Sequence, residues 1–510
     1  MQQAVESVAA AVVADTSFFG QPRGLRTLFM TEMWERFSYY GTRALLILFM
    51  TAAASHGGIG LPVERAGAVY GLYTAGVYLF SLPGGWIADR LLGQRQSVFW
   101  GGALISAGNL LLAIPGGITL FYIALLVIAM GTGMLKPNVS VMVGELYGGD
   151  HSARRDAAFS IFYFGINLGA FIAPLISGTI GETVGYRWGF LAASVAMALG
   201  LVQYRMTARW LGNAGLRPHV TDPALMARNR RTLFVGLGLL AVATIIAAIG
   251  ALPFNVFQLA NATGAVMVCL AVLFFGSVFI LGRLAAGERR RVALIAVFFV
   301  CSALFWAGYE QAGSTFNLFA RDYTDRSFLG SYFPAGEHPV SWYQSIQPIF
   351  VLLLAPVAAW LWVALDRRSR DPSAAVKLGL GLAQLGLSFI VMMWAAQHVL
   401  ASGHKALPMW LIVTFLLQTT GELCLSPIGL SNVTKLAPPR YVGQMMGTWF
   451  LGMAIGNLAA GLVGGAVGRG GIADMPGQFL RMAAIGGGAG LLMLAGARVG
   501  RALRRRPASA

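Results

Sequence analysis

Glu32, Glu35, Arg36, Tyr39, Tyr40 and Arg43 place two carboxylates, two guanidinium groups and two phenols inside an apolar run that begins near Leu25. An ionised side chain near the centre of a membrane-spanning helix costs about 2.5 to 3.5 kcal/mol, so such groups normally pair and line a water-filled path. At about 100° per residue, with Glu32 as zero, Tyr39 falls at about −20°, Arg43 at about +20°, Arg36 at about +40°, Glu35 at about −60° and Tyr40 at about +80°. The six therefore share one face, and the remainder of the helix can meet lipid. A soluble amphipathic helix gives the same wheel, so the rest of the chain must decide between the two.

Lys136, Glu310 and Glu422 also lie well inside apolar runs. Seven buried ionisable groups would together cost on the order of 20 kcal/mol against lipid, which favours one shared hydrated chamber. They comprise four negatives and three positives, and one added proton neutralises the set. A transporter that alternates between inward- and outward-facing states gains from an uncharged occluded centre, so one glutamate is expected to take up a proton in each cycle. The cations all precede residue 210, whereas Glu310 and Glu422 come later. A ligand carrying a carboxylate and an ammonium group could thus place the first on Arg43 and Lys136 and the second on Glu422. The plainer reading is that each pair is a structural salt bridge fixing helix packing. Tyr39, Tyr40, Tyr78, Asn167, Trp306, Gln347, Ser426 and Trp449 can hydrogen-bond or form apolar side pockets around these charges. Aromatic residues also serve ordinary packing.

Composition shows what kind of segment carries these groups. Of 510 residues, 57% are hydrophobic and 11% charged, far from the quarter charged that soluble proteins average. Spanning runs can be drawn near 25–54, 66–88, 97–116, 118–146, 156–181 and 188–208, then 232–252 and 256–282, then 292–320, 343–365, 376–399, 407–434, 441–468 and 477–500. The fold class is an all-α membrane protein of fourteen transmembrane helices. Arg95, Arg154, Arg155, Arg228, Arg230, Arg231, Arg289, Arg290, Arg291, Arg367, Arg368 and the tail Arg504, Arg505 and Arg506 fall on one side of that topology. Far fewer basic residues, such as Arg187, Arg326 and Lys405, fall on the other. By the positive-inside rule both termini are cytoplasmic. The net charge of +17 thus belongs to a membrane surface and not to a nucleic-acid partner. Glu6 and Asp15 precede the first arginine, so the N-terminus reads as a short cytoplasmic tail and a poor signal peptide.

Asp89-Arg90 ends the second run and Asp366-Arg367 ends a later one; Glu35 precedes Asp89 by 54 residues and Glu310 precedes Asp366 by 56. Such spacing points to a repeated six-helix unit. The expected domains are an N-terminal bundle at 1–210, a two-helix insert with flanking loops at 211–290, and a C-terminal bundle at 291–510. The insert is expected to face lipid. Pro137, Pro174, Pro348, Pro356 and Pro427 lie inside runs, where missing backbone bonds permit kinks. Cys269, Cys301 and Cys424 are scattered through apolar segments, against both a disulfide framework and a metal cluster. None of the six histidines falls clearly in mid-span, so the proton carrier should be a carboxylate. There is no phosphate loop, HExxH or GxSxG motif, so the chain is expected to be no enzyme and to need no cofactor or metal.

Glu32-x-x-Glu35-Arg36-Phe37-x-Tyr39-Tyr40-Gly41 resembles the first-helix signature of the proton-dependent oligopeptide transporters of the major facilitator superfamily. Gly85-x-x-x-Asp89-Arg90-x-x-Gly93-x-Arg95, Phe162-Tyr163-x-x-Ile166-Asn167-x-Gly169, Lys136-Pro137, Phe305-Trp306-x-x-x-Glu310-Gln311 and Glu422-x-x-x-Ser426-Pro427 are similar to further family motifs. The resemblance runs from about 25 to 465, and the insert matches the two additional helices of bacterial members. It implies two six-helix bundles plus the insert, and a multi-pass symporter of the bacterial inner membrane. That symporter would import di- and tripeptides with protons, by alternating access and as a monomer. Arg43 and Lys136 would receive the peptide carboxylate, Asn167 its backbone and Glu422 its N-terminus. Tyr40, Tyr78, Trp306, Ser426 and Trp449 would line side-chain pockets. Glu32, Glu35, Arg36 and Glu310 would serve proton coupling, with Glu310 also able to bridge to Arg43 or Lys136. Gln347 departs from the family's usual asparagine; one extra methylene moves its amide by about 1.5 Å. Alternatives are a carrier on the same fold for nitrate or a modified amino acid, although Glu422 would repel nitrate, and more distantly a membrane enzyme or channel.

Overall fold

The computed structural model describes residues 15–147, 152–218, 220, 222–248 and 255–505. The N-terminal tail with Glu6, together with His151, His219 and Arg506, lies outside the described residues; so does the side chain of Ser426, although its backbone is helical. Fourteen helical segments occupy the places the apolar runs mark. They are α1 (Arg23–Thr51), α2 (Val63–Leu79), α3 (Gln94–Ala113), α4 (Ile118–Glu145), α5 (Ser152–Ala173), α6 (Tyr186–Thr207), α7 (Pro223–Ala248) and α8 (Val256–Leu281). There follow α9 (Ala286–Tyr309), α10 (Ile346–Arg367), α11 (Ala374–Ser402), α12 (Met409–Leu436), α13 (Val442–Arg469) and α14 (Gly471–Arg505). Among the described residues ten helices are long and apolar enough to cross a membrane, and α12 contributes a shorter apolar stretch, Met409–Leu425. The segments that fall short include α1, because it holds Glu32, Glu35, Arg36 and Arg43 in its middle.

Three runs read as continuous in the sequence are interrupted. α2 stops at Leu79 and resumes as Ser81–Ile87, ending in a π turn at Ala88–Leu92. α5 passes through a π turn at Pro174–Gly178, where proline removes a backbone donor, into Thr179–Thr183. α9 ends at Tyr309, tightens to a 3-10 turn over Glu310–Gly313, breaks at Ser314 (φ −122°, ψ −88°) and restarts at Thr315–Tyr323. Pro348, by contrast, occupies the first turn of α10, where the missing N–H costs little.

The described residues form two compact units, one within Met1–Ile59 and Gly76–Asn255 and the other within Gly60–Ala75 and Val256–Ala510. In the first, α1 packs against α5 and α6, and α3 against α4 and α6. Gly169 of α5 allows this: a Cβ there would lie 2.2 Å from the Met33 carbonyl and 3.1 Å from Arg36 Cβ. The loop after α2 is latched from the side. Gly93 turns the chain at φ 78°, and Arg95 then donates to the carbonyls of Ala214 (2.7 Å) and Gly212 (2.5 Å) while Glu145 accepts from the Gly215 amide. In the second unit α9 packs on α13, and α11 on α12 and α14. Gly67 and Gly71 of α2 meet Gly461 and the Leu458 carbonyl of α13 so closely that ideal Cβ atoms would stand 2.5 and 2.7 Å from backbone oxygens. Such contact is available only to small residues.

The two insert helices divide between the units. α7 has no buried residue in its most apolar window, and α8 buries only 22% of its own, with Ala260, Met267, Ala271 and Val278 turned inward. Phe234, Leu239, Ile245, Val272, Leu273 and Ile280 are exposed, the surface expected of helices solvated by lipid. The loop from α9 to α10 is clasped by charge. Arg326 pairs with Glu337 and donates to the His338 carbonyl (2.6 Å), Lys405 Nζ reaches Glu337 at 2.7 Å, and His338 Nδ1 lies 2.7 Å from the Arg326 carbonyl.

Candidate functional site

In the first unit the charged face of α1 is fully desolvated: Glu35 is 0%, Glu32 2% and Arg36 4% exposed. Arg36 Nε bridges both carboxylates, at 3.3 Å from Glu32 and in a closer pair with Glu35. Glu32 Oε2, Glu35 Oε1 and Arg36 Nη2 are buried and have no hydrogen-bond partner among the described residues. Arg36 also lies over the Tyr39 ring at 5.0 Å, and Arg43 over the Tyr40 ring at 5.5 Å. The face computed from periodicity is therefore real, and aromatic quadrupoles supplement the ion pairs on it.

Lys136 joins this group from α4. Its Nζ sits 4.5 Å from the Tyr78 ring centroid, and it lies within electrostatic range of Glu32. Pro137 follows immediately and removes one rung of the helix. Asn138 then donates to the Met134 carbonyl (2.7 Å) and reaches the Gly84 carbonyl (3.4 Å), tying α4 to Ser81–Ile87. Asn167 is placed on α5 one turn after Tyr163, whose carbonyl its amide caps at 2.9 Å. Thus Glu32, Glu35, Arg36, Tyr39, Tyr40, Arg43, Tyr78 and Lys136 form connected contacts. Asn167 stands on the same helix as Gly169, the residue that admits α5 to the Met33–Arg36 stretch of α1.

In the second unit Glu422 of α12 is 9% exposed and accepts a 2.5 Å hydrogen bond from the Tyr309 hydroxyl of α9. Tyr309 stacks on Phe305 (5.6 Å, 25°) and meets Trp306 edge-on at 5.2 Å. Trp306 is buried, its indole N–H without a hydrogen-bond partner among the described residues, and Trp449 of α13 is 2% exposed. Glu310 is buried at the first residue of the 3-10 turn and within electrostatic range of Glu422. Backbone leaving the helical ladder at membrane depth must find other partners. Here Gln344 donates to the Ala312 carbonyl, while Gln311 accepts from Thr315 (3.0 Å) and donates to the Ala307 carbonyl (3.1 Å). Gln347 donates to Gln418 Oε1 at 3.0 Å.

Tyr309, Gln344 and Gln418 belong to the site but carry no motif in the sequence. Tyr309 had a local signal, lying three residues after Trp306 and beside Glu310; the two glutamines act on residues distant in sequence and had none. In the first unit Glu32 and Glu35 share the Arg36 guanidinium, and in the second Glu422 is held by a phenol, settings in which an added proton or cationic group would be stabilised. Among the described residues no group of three metal-ligating side chains occurs.

Residues 95–471 match the model of the POT family. A peptide transporter of Yersinia enterocolitica is 43% identical over 482 residues, which cover 91% of this chain and 92% of its own. A di-/tripeptide transporter of Lactococcus lactis subsp. cremoris is 40% identical over 451 residues, 86% of this chain and 88% of its own. Among solved structures, a peptide transporter POT in complex with sulfate superposes with a TM-score of 0.87 at 39% identity, covering 98% of this chain and 99% of that one. A POT family transporter in complex with 5-aminolevulinic acid gives 0.86 at 31% identity over 96% and 99%.

Proposed function

Because the chain belongs to the POT family and is a multi-pass membrane protein of the major facilitator fold, we propose that it is a proton-coupled symporter. It imports di- and tripeptides through the bacterial cytoplasmic membrane by alternating access, as a monomer with both termini in the cytoplasm. Arg43 and Lys136 receive the peptide carboxylate and Asn167 and Gln347 its backbone. Glu422 receives the terminal ammonium, and Tyr40, Tyr78, Trp306, Ser426 and Trp449 shape the side-chain pockets. Glu32, Glu35, Arg36 and Glu310 carry the coupling. The 1–210, 211–290 and 291–510 divisions are the sequence segments assigned to the two bundles and the insert.

The observation that carries this reading is Glu422, a buried carboxylate that accepts a hydrogen bond from the neutral Tyr309 phenol. Such a group is stabilised by an arriving ammonium or a proton, and it would oppose a simple anion. One further reading is favoured by a specific likeness: the relative bound to 5-aminolevulinic acid holds a molecule with an amine and a carboxylate but no peptide bond. A modified amino acid would satisfy the same two anchors.

The test is uptake of labelled dialanine into proteoliposomes under an imposed pH gradient. Wild type accumulates it above equilibrium, and Glu310→Gln exchanges it across the membrane without accumulating it. Accumulation by that variant at the wild-type level would remove Glu310 from coupling, and absence of dialanine uptake by wild type would remove the peptide reading.

A further inference from the structure

Three helices of the second unit contribute a buried polar chain whose last member is Gln347. Ser388 of α11 donates its hydroxyl to the Leu385 carbonyl at 2.6 Å. Gln418 Nε2 of α12 lies 3.4 Å from Ser388 Oγ, and Gln347 Nε2 of α10 donates to Gln418 Oε1 at 3.0 Å. Ser388 and Gln418 are both 0% exposed, and Gln347 is 6% exposed.

The polarity of this chain follows from its inner end. Ser388 has one proton, and the short bond to Leu385 uses it; its oxygen can then only accept. Gln418 must therefore turn its NH2 to Ser388 and its carbonyl to Gln347, and Gln347 must answer with its own NH2. Reversing both amides would oblige Ser388 to abandon its 2.6 Å partner. The Gln347 carbonyl, on the far side of the amide from Nε2, takes no part in the chain. Gln418 also stands one helical turn before Glu422, so the two share a face of α12.

We infer that Ser388 and Gln418 are positioning residues that hold the Gln347 amide with its carbonyl toward the ligand, making it an acceptor for a peptide N–H. This deepens the peptide-transport reading and rests on it. The extra methylene relative to asparagine lengthens the arm, and the chain behind it limits the freedom that length would otherwise give. The protein then selects ligands having a backbone N–H over those with a bare oxygen at that place.

The test compares dialanine with its ester isostere, in which oxygen replaces the peptide N–H, as competitors of labelled dialanine uptake in proteoliposomes. Losing one neutral hydrogen bond and setting two oxygens face to face should make the ester roughly five- to ten-fold weaker for wild type. In Gln418→Leu the amide can rotate, and the ratio should fall to within about two-fold, whereas Gln418→Glu keeps an oxygen for Gln347 Nε2 and restores it. Ser388→Ala removes only a hydroxyl from the core and should shift the ratio in the same direction as Gln418→Leu. A general packing defect would weaken both competitors alike and leave the ratio fixed. A wild-type ratio near one, or an unchanged ratio in Gln418→Leu and Ser388→Ala, overturns the inference while dialanine transport stands. Absence of dialanine uptake by wild type overturns both.

Discussion

Arg36 offers the most direct test of whether the buried charges of α1 are structural or functional. Its guanidinium is the shared partner of Glu32 and Glu35, all three at most 4% exposed. Arg36→Met keeps much of the side-chain volume and leaves two carboxylates facing each other in a water-poor setting. Breaking a buried pair by removing one partner costs about 3–5 kcal/mol. At about 1.4 kcal/mol per decade that shifts the unfolding equilibrium by a hundred- to several-thousand-fold. Replacing all three, as Glu32→Gln, Glu35→Gln and Arg36→Met, leaves no uncompensated charge and should recover most of that loss. The assay is denaturant unfolding in detergent followed by tryptophan fluorescence, with Trp34 against Phe37 at 6.3 Å as a nearby reporter. The folded triple variant is then tested for transport, and it should bind dialanine yet fail to accumulate it on a pH gradient. Unfolding of Arg36→Met like wild type, or a triple variant as unstable as the single one, contradicts the buried ion-pair assignment. A stable triple variant with normal gradient-driven accumulation assigns these residues to packing alone.

Three further outcomes are expected. Glu422→Ala should weaken competition by free dipeptides by about ten-fold or more, and by N-acetylated ones far less, since a charge-assisted hydrogen bond contributes about 1.5–3 kcal/mol; equal losses would contradict the amine assignment. Gly169→Ala forces a methyl group to 2.2 Å from the Met33 carbonyl, so α1 and α5 must separate at a cost of about 1–3 kcal/mol, measured as a lowered midpoint of thermal unfolding. The clasp of the α9–α10 loop should loosen in acid. Burial raises the Glu337 carboxyl, but the Lys405 hydrogen bond and the charges of Arg326 and Lys405 outweigh it and hold it below its ordinary range. Burial, aided by the Arg326 charge and opposed by the backbone bond and by Glu337 and Asp325, holds the His338 ring below its usual value. Both groups favour their deprotonated forms when folded. Their stabilisation is complete above the unfolded histidine pKa of about 6.5 and is lost as pH falls, first through His338 and then through Glu337 below about 4.3. Hydrogen exchange at the Asp325 and Ala406 amides, corrected for intrinsic rate, should therefore quicken from pH 7 to pH 4; unchanged protection would contradict the assignment.

The positions of the helices were readable because lipid demands long apolar runs, and the charged face of α1 was readable because helical periodicity is local. The interruption at Glu310–Ser314 was not. Its residues read as a continuation of an apolar run, and the break is supported by Gln344 of the 3-10 helix Val340–Ser345, 32 positions from the Ala312 carbonyl it bonds. The same holds for Glu422, whose acidity was evident but whose phenolic partner Tyr309 is 113 positions away. Gln347 stands out by its length, whereas Gln418 and Ser388, which constrain it, are ordinary polar residues in apolar helices until folding brings them together. Sequence patterns carried the charges and their faces; the neutral residues that orient them depend on which helices become neighbours.

The contact of α2 with α13 rests on Gly67, Gly71, Gly461 and Gly465, where peptide groups meet with nothing between them. A joint of that kind has no rotamers to rearrange, so a small relative slide of the two helices meets little steric friction. The same bareness makes it intolerant of change: an alanine at Gly67 or Gly461 must wedge the helices apart, while neighbouring lipid-facing positions can vary freely. Random mutagenesis should accordingly leave these four sites as a narrow, nearly invariant stripe through an otherwise permissive surface.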